Sequence, residues 1–263
     1  MNPDETAQDW FTDEAFWRTF GPLMFGPDQF TEAEQQIEQL LQLLELKSDA
    51  ETRLRALDLG AGPGRHSLPL ARAGFDVTAV DTSGYLLDQL QPRAREEGLD
   101  ISIVQQDMRH YEQRGHFDLA LVMWTSFGYF EDEDDHREVL KRIFNSLVSG
   151  GRLVLDLVGL EYLCRNLEPV HLTETEDGRT LIERPVLAED LTRLDNEWIL
   201  IETGDDGNEV VHRQHFSHRV WSAGEIRLWL EQAGFNAIEI LADCSGGEYN
   251  LDAERQIVLA TKP

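Results

Sequence analysis

An acidic residue followed by three alternating glycines is the part of this chain most suited to chemistry with a cofactor. The segment from Arg55 to Ala71 reads RALDLGAGPGRHSLPLA, with Asp58 two positions before the first glycine. Glycine lets the backbone turn tightly and approach a ligand where a Cβ would clash. The apolar run before the turn indicates a buried strand, and the segment after it begins a helix whose free N–H groups face the ligand. The segment therefore predicts a nucleotide-cofactor site.

The spacing of the glycines separates this segment from the dinucleotide fingerprint G-x-G-x-x-G. The third glycine, Gly64, comes one residue early, and Arg65 stands where the dinucleotide pattern has glycine or alanine. A carboxylate before the first glycine also suits a cationic ligand better than a pyrophosphate. The residues thus disfavour NAD as the cofactor.

The string D-x-G-x-G-x-G resembles the first motif of class I S-adenosylmethionine-dependent methyltransferases. In that family the acid, here Asp58, lies near the methionyl end of the cofactor. The resemblance implies S-adenosyl-L-methionine as the cofactor of this chain. It also implies that the loop residues contact it, namely Gly60, Ala61, Gly62, Gly64 and Arg65.

Two further acids follow predicted strands. Asp81 ends the second strand, and Thr82 follows it. A carboxylate in this position can accept hydrogen bonds from both ribose hydroxyls of a cofactor, and NAD is bound with the same geometry. The third strand leads into Gln106, Asp107 and Met108. In the methyltransferase family that the chain resembles, the acid at the position of Asp107 accepts the adenine amino group, and its neighbour packs on the adenine ring. From the residues alone, Asp107 could instead cap a short helix.

The fourth predicted strand runs from Phe117 to Trp124 and leads into the segment SFGYF. This segment is similar to the corresponding one in small-molecule methyltransferases, including sugar N-methyltransferases. The resemblance implies that Met123 and Trp124 contact the cofactor at the carboxyl end of the strand, where open α/β sheets bind ligands. Trp124 and Tyr129 could also enclose an amine or sulfonium by cation–π contact, or could simply pack beneath other elements.

Methyl transfer needs few catalytic groups, because the sulfonium is already a strong methyl donor and the enzyme chiefly aligns the reactants. A base is required only for an acceptor that is protonated at the working pH. Tyr129 and His66 are the candidate catalytic residues, and His66 could equally bond to backbone. His212, His215 and His218 are further candidates, but spacing by three places 212 and 218 on one strand face and 215 on the other, which argues against a metal site.

The first 50 residues are rich in aromatic side chains, among them Trp17. They predict helices that either pack over the sheet or, as the resemblance implies, form a lid that shapes the acceptor pocket. Trp17 is therefore a candidate for contact with the acceptor. Thr31 and Glu34 match a capping box and predict the start of the helix before the first strand.

Alternating strands and helices predict a Rossmann-like α/β core with a mostly parallel sheet, made of residues 51–159 and 221–263. The family resemblance implies seven strands, the last antiparallel. Between residues 160 and 220 the alternation stops, and turn-rich spacing predicts an antiparallel β insertion that forms part of the acceptor pocket. His215 and Arg219, in or next to its last strand, are candidate acceptor contacts.

Composition limits the class of partner. The 263 residues include 50 acidic and 23 basic ones, giving a formal net charge of −27 that repels phosphate backbones and disfavours nucleic acid as the methyl acceptor. Two cysteines, no long apolar run and no signal-peptide pattern predict a cytoplasmic protein with reduced thiols. We expect no membrane association, no metal, and a monomer or homodimer.

These observations predict an S-adenosylmethionine-dependent methyltransferase that acts on N, O or C of a small molecule by direct displacement. Two alternatives remain open at this point. One is a regulatory protein that binds S-adenosylmethionine without turnover, since the sequence identifies no base. The other is an NAD-linked oxidoreductase, which the glycine spacing and Asp58 disfavour.

Overall fold

The computed structural model describes residues 9–49, 51–204 and 207–263. Of the predicted lid, residues 1–8 and 50 lie outside the described residues, as do residues 205–206 of the predicted insertion. In the described part of the chain, no helix is both long and apolar enough to cross a membrane.

A seven-stranded sheet forms the centre of the fold, in the order β10-β11-β5-β4-β1-β2-β3. Its strands β1 to β5 are parallel, and β11 is antiparallel to both of its neighbours. This arrangement confirms the predicted Rossmann-like sheet with an antiparallel last strand. The strands are β1 Arg55–Leu59, β2 Asp76–Asp81, β3 Ile101–Gln105, β4 Phe117–Val122, β5 Leu147–Val158, β10 Asn236–Leu241 and β11 Arg255–Thr261.

Helices connect the strands and cover the sheet. Ser83 and Ser222 cap the helices α4 and α7 through their hydroxyls, and Gly234 ends α7 with a φ of +103°. Asp132 caps α5, and three acids in its first turn complement the helix dipole. The core helices are α3 Ser67–Arg72, α4 Gly84–Glu96, α5 Glu133–Ser146 and α7 Ala223–Ala233.

The N-terminal segment consists of a 3-10 turn, Trp10–Thr12, and two helices, α1 Glu14–Met24 and α2 Pro27–Leu43. The capping box predicted at Thr31 is wrong. The helix α2 begins four residues earlier, because Pro27 occupies its first turn, where a missing N–H costs nothing. Thr31 therefore lies inside the helix and its hydroxyl donates to the Pro27 carbonyl at 3.1 Å.

The insertion begins with a short helix, α6 Leu160–Asn166, which the sequence did not indicate. Four antiparallel strands follow and form a second sheet in the order β6-β7-β8-β9. The chain leaves the core at Gly159 and returns at Trp221, and these two residues form an isolated parallel bridge. The insertion strands are β6 His171–Glu174, β7 Thr180–Leu187, β8 Arg193–Thr203 and β9 Glu209–Arg219.

Aromatic side chains join the N-terminal segment to the insertion. The Trp10 ring lies 4.6 Å from that of Phe216 and 4.6 Å from that of Tyr129, and the Phe20 ring lies 5.8 Å from Trp198. The two peripheral elements therefore pack against each other as well as against the core. Together they cover the carboxyl end of β4.

Candidate functional site

The glycine loop between β1 and α3 is held close to neighbouring strand ends. Gly60 and Gly62 have φ angles of +78° and +55°, a region that favours glycine. The Gly60 N–H donates to the Val80 carbonyl at 2.8 Å. A Cβ added to Gly60 would stand 2.8 Å from the Ser126 side chain. The loop therefore requires glycine here to keep its approach to the end of β4.

Asp81 holds the glycine loop and the start of α4 together. Its two carboxylate oxygens accept one backbone N–H each, from Gly62 and from Ser83, both at 2.8 Å. Burial raises the pKa of Asp81, and these hydrogen bonds oppose that rise. Each carboxylate oxygen can accept a further hydrogen bond. Asp81 can therefore bind hydroxyl groups of a ligand while it keeps its backbone contacts.

Asp58 lies beneath the glycine loop, with only 1% of its surface exposed. Its carboxylate accepts a hydrogen bond from the Ser67 hydroxyl at 2.5 Å. Burial raises the pKa of Asp58 to about 6, although the Ser67 hydrogen bond opposes the rise. Asp58 therefore provides a buried carboxyl group whose charge responds to a nearby cation.

Asp107 sits on the loop after β3 and is already paired with a cation. Arg109 donates to both of its carboxylate oxygens, to Oδ2 at 2.6 Å and to Oδ1 at 3.1 Å, and also contacts Asp9 and Asp135. Burial raises the pKa of Asp107, but the hydrogen bonds and charge of Arg109 outweigh it and hold the pKa below its usual value. The three residues after Asp107 form a turn, and no regular helix follows for it to cap.

The turn after β4 has an unusual backbone conformation. Trp124 and Thr125 have φ angles of +55° and +63°, which are strained for these residue types. Asp156 accepts the Trp124 N–H on its side chain at 3.0 Å and the Thr125 N–H on its carbonyl at 2.8 Å. Arg255 donates to Asp156 at 2.7 Å and to the Thr125 hydroxyl at 3.1 Å. The turn is therefore fixed by β5 and β11.

Arg65 and His66 follow the glycine loop and are both buried. The Arg65 guanidinium lies 4.2 Å from the centre of the Trp124 ring. Burial lowers the pKa of Arg65 to about 10, so it stays charged at neutral pH. His66 Nε2 lies 2.9 Å from the Gln36 side-chain oxygen, and burial lowers the pKa of His66 to about 3. His66 is therefore neutral and tied to α2.

A cavity lies over the carboxyl ends of β1, β2, β3 and β4, with about 760 Å³ of empty space that includes open solvent. Residues that follow these strands and residues of the N-terminal segment line it. It is lined by eleven of the thirteen predicted cofactor residues, namely Gly60, Ala61, Gly62, Arg65, Asp81, Thr82, Gln106, Asp107, Met108, Met123 and Trp124. Trp17, His66 and Tyr129 line it too.

A second cavity, of about 1260 Å³ of partly open space, adjoins the first. The two cavities share Met24, Trp124 and Tyr129 as lining residues. The second cavity is formed by the N-terminal segment, the insertion sheet and the end of β11. A ligand in it would meet a cofactor in the first cavity at Trp124 and Tyr129.

Tyr129 stands at the junction of the two cavities. Its ring lies 4.6 Å from Trp10 and 5.7 Å from Phe11, both in the N-terminal segment. Burial raises the pKa of Tyr129 well above its usual value. The hydroxyl group is thus protonated at neutral pH, so it can donate a hydrogen bond but is a poor base.

The structure does not bring every predicted site residue to a cavity. Asp58 and Gly64 lie beneath the loop rather than on the cavity wall. The side chain of His215 is 68% exposed and lies 3.5 Å from Glu197 on the outer face of the insertion sheet. Arg219 is buried against Glu225 and Glu133, at the side of α7. Neither His215 nor Arg219 lines either cavity.

Several lining residues had no signal in the sequence. Phe11, Met24 and Phe25 reach the first cavity from the N-terminal segment, whose aromatic composition was the only indication of a lid. Glu183 and Arg255 line the second cavity, from strands distant in sequence. His218 was one of three candidate histidines, and only the strand register separates it from His215.

Comparisons with known proteins agree with this geometry. Residues 56–151 match the family described as "Methyltransferase domain". A protein of Geobacillus sp. (strain WCH70), assigned provisionally as a methyltransferase, is 27% identical over 208 residues, which cover 79% of this chain and 84% of that protein.

Two solved structures share the fold over nearly the whole chain. An S-adenosylmethionine-dependent methyltransferase from Clostridium acetobutylicum gives a TM-score of 0.76 at 18% identity and covers 95% of this chain and 98% of that one. The amino pentose methyltransferase CalS10 from Micromonospora echinaspora gives a TM-score of 0.66 at 18% identity, covers 100% of both chains and was solved with S-adenosylmethionine bound. The match of residues 56–151 and the shared fold confirm the predicted resemblance to methyltransferases and the predicted fold.

Proposed function

We propose that this chain, an S-adenosylmethionine-dependent methyltransferase by its domain and fold, methylates a small molecule held in the second cavity. One observation carries the proposal. The cofactor cavity and the second cavity share Met24, Trp124 and Tyr129 as lining residues, so that a ligand in each cavity would contact the same side chains. Proximity of this kind is the main requirement for methyl transfer.

The residues of the first cavity fit S-adenosylmethionine. The glycine loop leaves room for close approach, and Asp81 retains acceptor capacity for ribose hydroxyls. Met108 lies beside Asp107 on the cavity wall and offers an apolar surface to the adenine ring. Asp58, under the loop, supplies negative charge near the methionyl end. Arg109 orients Asp107, whose carboxylate lies on the cavity wall and is the acceptor we assign to the adenine amino group.

The chemistry of the cofactor is simple. S-adenosylmethionine, when bound, supplies a methyl group whose bond to sulfur breaks as the acceptor's lone pair forms a bond to carbon, leaving a neutral thioether. Trp124 and Tyr129 align the acceptor at the junction, and the buried Tyr129 hydroxyl donates a hydrogen bond to it. The acceptor's proton passes to water.

Of the two candidate catalytic residues, we place Tyr129 in contact with the acceptor. His66 lines the cofactor cavity, but its Nε2 is engaged by Gln36 and its pKa is about 3. We propose that His66 holds α2 against the glycine loop. The proposal also includes a cytoplasmic location and a monomer or homodimer.

Calorimetry with ligand-stripped protein tests the cofactor. We expect S-adenosylhomocysteine to bind and NAD not to bind. Binding of NAD in preference would contradict the cofactor assignment. The release of S-adenosylhomocysteine from S-adenosylmethionine, measured with a panel of small amines and hydroxyl compounds, then tests turnover. Cofactor binding without turnover of any acceptor would favour the regulatory alternative.

A further inference from the structure

We propose that the second cavity binds an acceptor that carries a protonated amine on an apolar body and that it rejects acceptors with a carboxylate or phosphate. Glu183 recognises the charged amine, and His218, further along the same face of the insertion sheet, accepts a hydrogen bond from an N–H or O–H group of the acceptor. This inference rests on the proposed function, because it names the class of acceptor for the same site.

The inner face of the insertion sheet forms one wall of the cavity. Glu183 pairs with Trp198 across β7 and β8, and His218 pairs with Leu194 across β8 and β9. Directly paired residues of an antiparallel sheet lie on one face, and positions 194 and 198 share a face of β8, so Glu183 and His218 both lie on the inner face, two strands and four residues apart. The sheet residues that line the cavity are Thr173, Leu181, Glu183, Trp198, Phe216 and His218.

Aromatic rings make up much of the remaining wall. Trp10 and Phe16 come from the N-terminal segment, with ring centres 4.6 Å and 5.7 Å from that of Phe216. Trp198 lies 5.2 Å from Phe216. Such walls suit an apolar or aromatic body, and the faces of their rings attract a cation.

Glu183 supplies a carboxylate without an ion pair in the described part of the chain. Burial raises its pKa, while the charge of His171, on the neighbouring strand, opposes the rise. Glu197, on the outer face of the same sheet, by contrast contacts Arg184 and Arg213. A half-buried carboxylate beside aromatic rings is a suitable partner for an ammonium group.

His218 provides the second, independent observation. It is 8% exposed, and among the described residues neither ring nitrogen has a hydrogen-bond partner. Burial, with Arg193 and Arg255 nearby, lowers the pKa of His218 to about 4, so the ring is neutral at pH 7. A neutral imidazole can accept a hydrogen bond from an amine. A buried polar group left without a partner is costly, and a ligand in the cavity would satisfy it.

The charge of the cavity argues against an anionic acceptor. Arg255 is the one basic residue other than histidine among the described residues that line it. Its guanidinium is committed to Asp156 and Thr125. The remaining charged lining residues are Glu183 and Glu254, so the cavity is negative once the Arg255–Asp156 pair is counted as neutral.

Three matched probes test the inference by calorimetry in the presence of saturating S-adenosylhomocysteine. They are phenethylamine, phenylalanine and 2-phenylethanol, which share a ring and differ in charge. We expect phenethylamine to bind at least about tenfold more tightly than the other two, in line with the strength of charge-assisted hydrogen bonds. Equal or tighter binding of phenylalanine, or equal binding of the alcohol, would overturn the proposal.

Variants assign the recognition to its residues. Glu183→Gln should weaken phenethylamine binding about tenfold and leave 2-phenylethanol binding within about twofold, because it removes the charge that meets the ammonium group. His215→Ala, on the outer face of the same strand as His218, is the control and should bind phenethylamine like the parent protein.

S-adenosylhomocysteine binding distinguishes failure of the amine inference from failure of the proposed function. A protein that binds S-adenosylhomocysteine but not phenethylamine would overturn the amine inference and leave the proposed function intact. A protein that binds neither would contradict the proposed function itself. A variant that keeps S-adenosylhomocysteine affinity is folded, so a loss of amine binding in it is local.

Discussion

The two cavities are built by different means. The first is formed largely by backbone at the ends of consecutive core strands, where Asp81 holds Gly62 and Ser83. The second is formed by side chains from the N-terminal segment, the insertion sheet and β11, which are far apart in sequence. The first cavity, which we call the cofactor half of the site, is therefore a local feature of the chain. The second cavity, the acceptor half, is assembled from segments that are distant in sequence.

The two cavities should also differ in how strongly single substitutions affect them. In the cofactor half, one carboxylate and a few glycines set the geometry, so single changes there should be costly. In the acceptor half, aromatic packing is shared among many rings, such as those of Trp10, Phe16 and Phe216, and single changes should alter selectivity more than stability. Four predictions test this contrast between the cofactor half and the acceptor half.

Replacing Asp81 by alanine should weaken S-adenosylhomocysteine binding by about 100-fold or more. The change removes two hydrogen bonds from ribose hydroxyls to a charged group, each worth about 1.5–3 kcal/mol, and frees the Gly62 and Ser83 N–H groups. Calorimetry measures the effect. Asp88→Ala, at an exposed position of α4, is the matched control. Unchanged affinity in the Asp81 variant would refute the assignment of the first cavity.

Gly64→Ala should lower the free energy of unfolding by about 3 kcal/mol, because overpacking and a left-handed backbone both oppose a side chain. The added Cβ would stand 2.2 Å from Leu90 Cδ1, at a φ of +86°. Gly98→Ala has a similar φ of +67° and nothing within 4 Å, so it should cost only about 1 kcal/mol. Denaturant titration compares the two, and equal losses would show that close packing at Gly64 is unimportant.

Asp156→Asn should lower the free energy of unfolding by about 2 kcal/mol, since it weakens charge-assisted hydrogen bonds from Arg255. Because the Trp124–Thr125 turn lines the junction, phenethylamine affinity should fall more than S-adenosylhomocysteine affinity. Denaturation and calorimetry on the same samples measure both. An equal loss for the two ligands would mean that the turn serves the whole site and not chiefly the acceptor half.

Binding of S-adenosylmethionine near pH 6 should release up to about half a proton from Asp58. Its pKa of about 6 in the ligand-free protein leaves the group partly protonated there. A cation bound nearby favours the carboxylate, so the pKa falls and a proton is lost. Calorimetry in buffers of different ionisation enthalpy counts the protons, and Asp58→Asn should abolish the release. Equal release in the variant would assign the proton to another group.

The cofactor half was largely predictable from sequence. The order D-x-G-x-G-x-G, the acids after the second and third strands, and Trp124 after the fourth are local signals, and parallel strands bring such ends to one edge. The alternation of strands and helices likewise predicted the sheet, and Ser83, Ser222 and Gly234 marked helix ends where the structure has them.

The rest depended on contacts that local patterns do not record. A proline four residues before Thr31 moved the start of α2, so a matching capping box was misleading. Arg109 pairs with Asp107 and with Asp9, and the second of these contacts joins residues 100 apart. Strand alternation separates His218 from His215, but only the packing of the insertion sheet against the N-terminal segment decides which of the two faces lines the cavity.

The position of β11 has a consequence for the timing of synthesis. This strand lies between β5 and β10 and carries Arg255, yet it follows every other strand in the chain. A ribosome that has made residues 1–241 has produced all the elements of the cofactor half. At that stage β5 still lacks β11, one of its two neighbours in the sheet. The anchor of the Trp124–Thr125 turn therefore arrives last, and the nascent chain cannot complete its acceptor junction before residues 255–261 emerge.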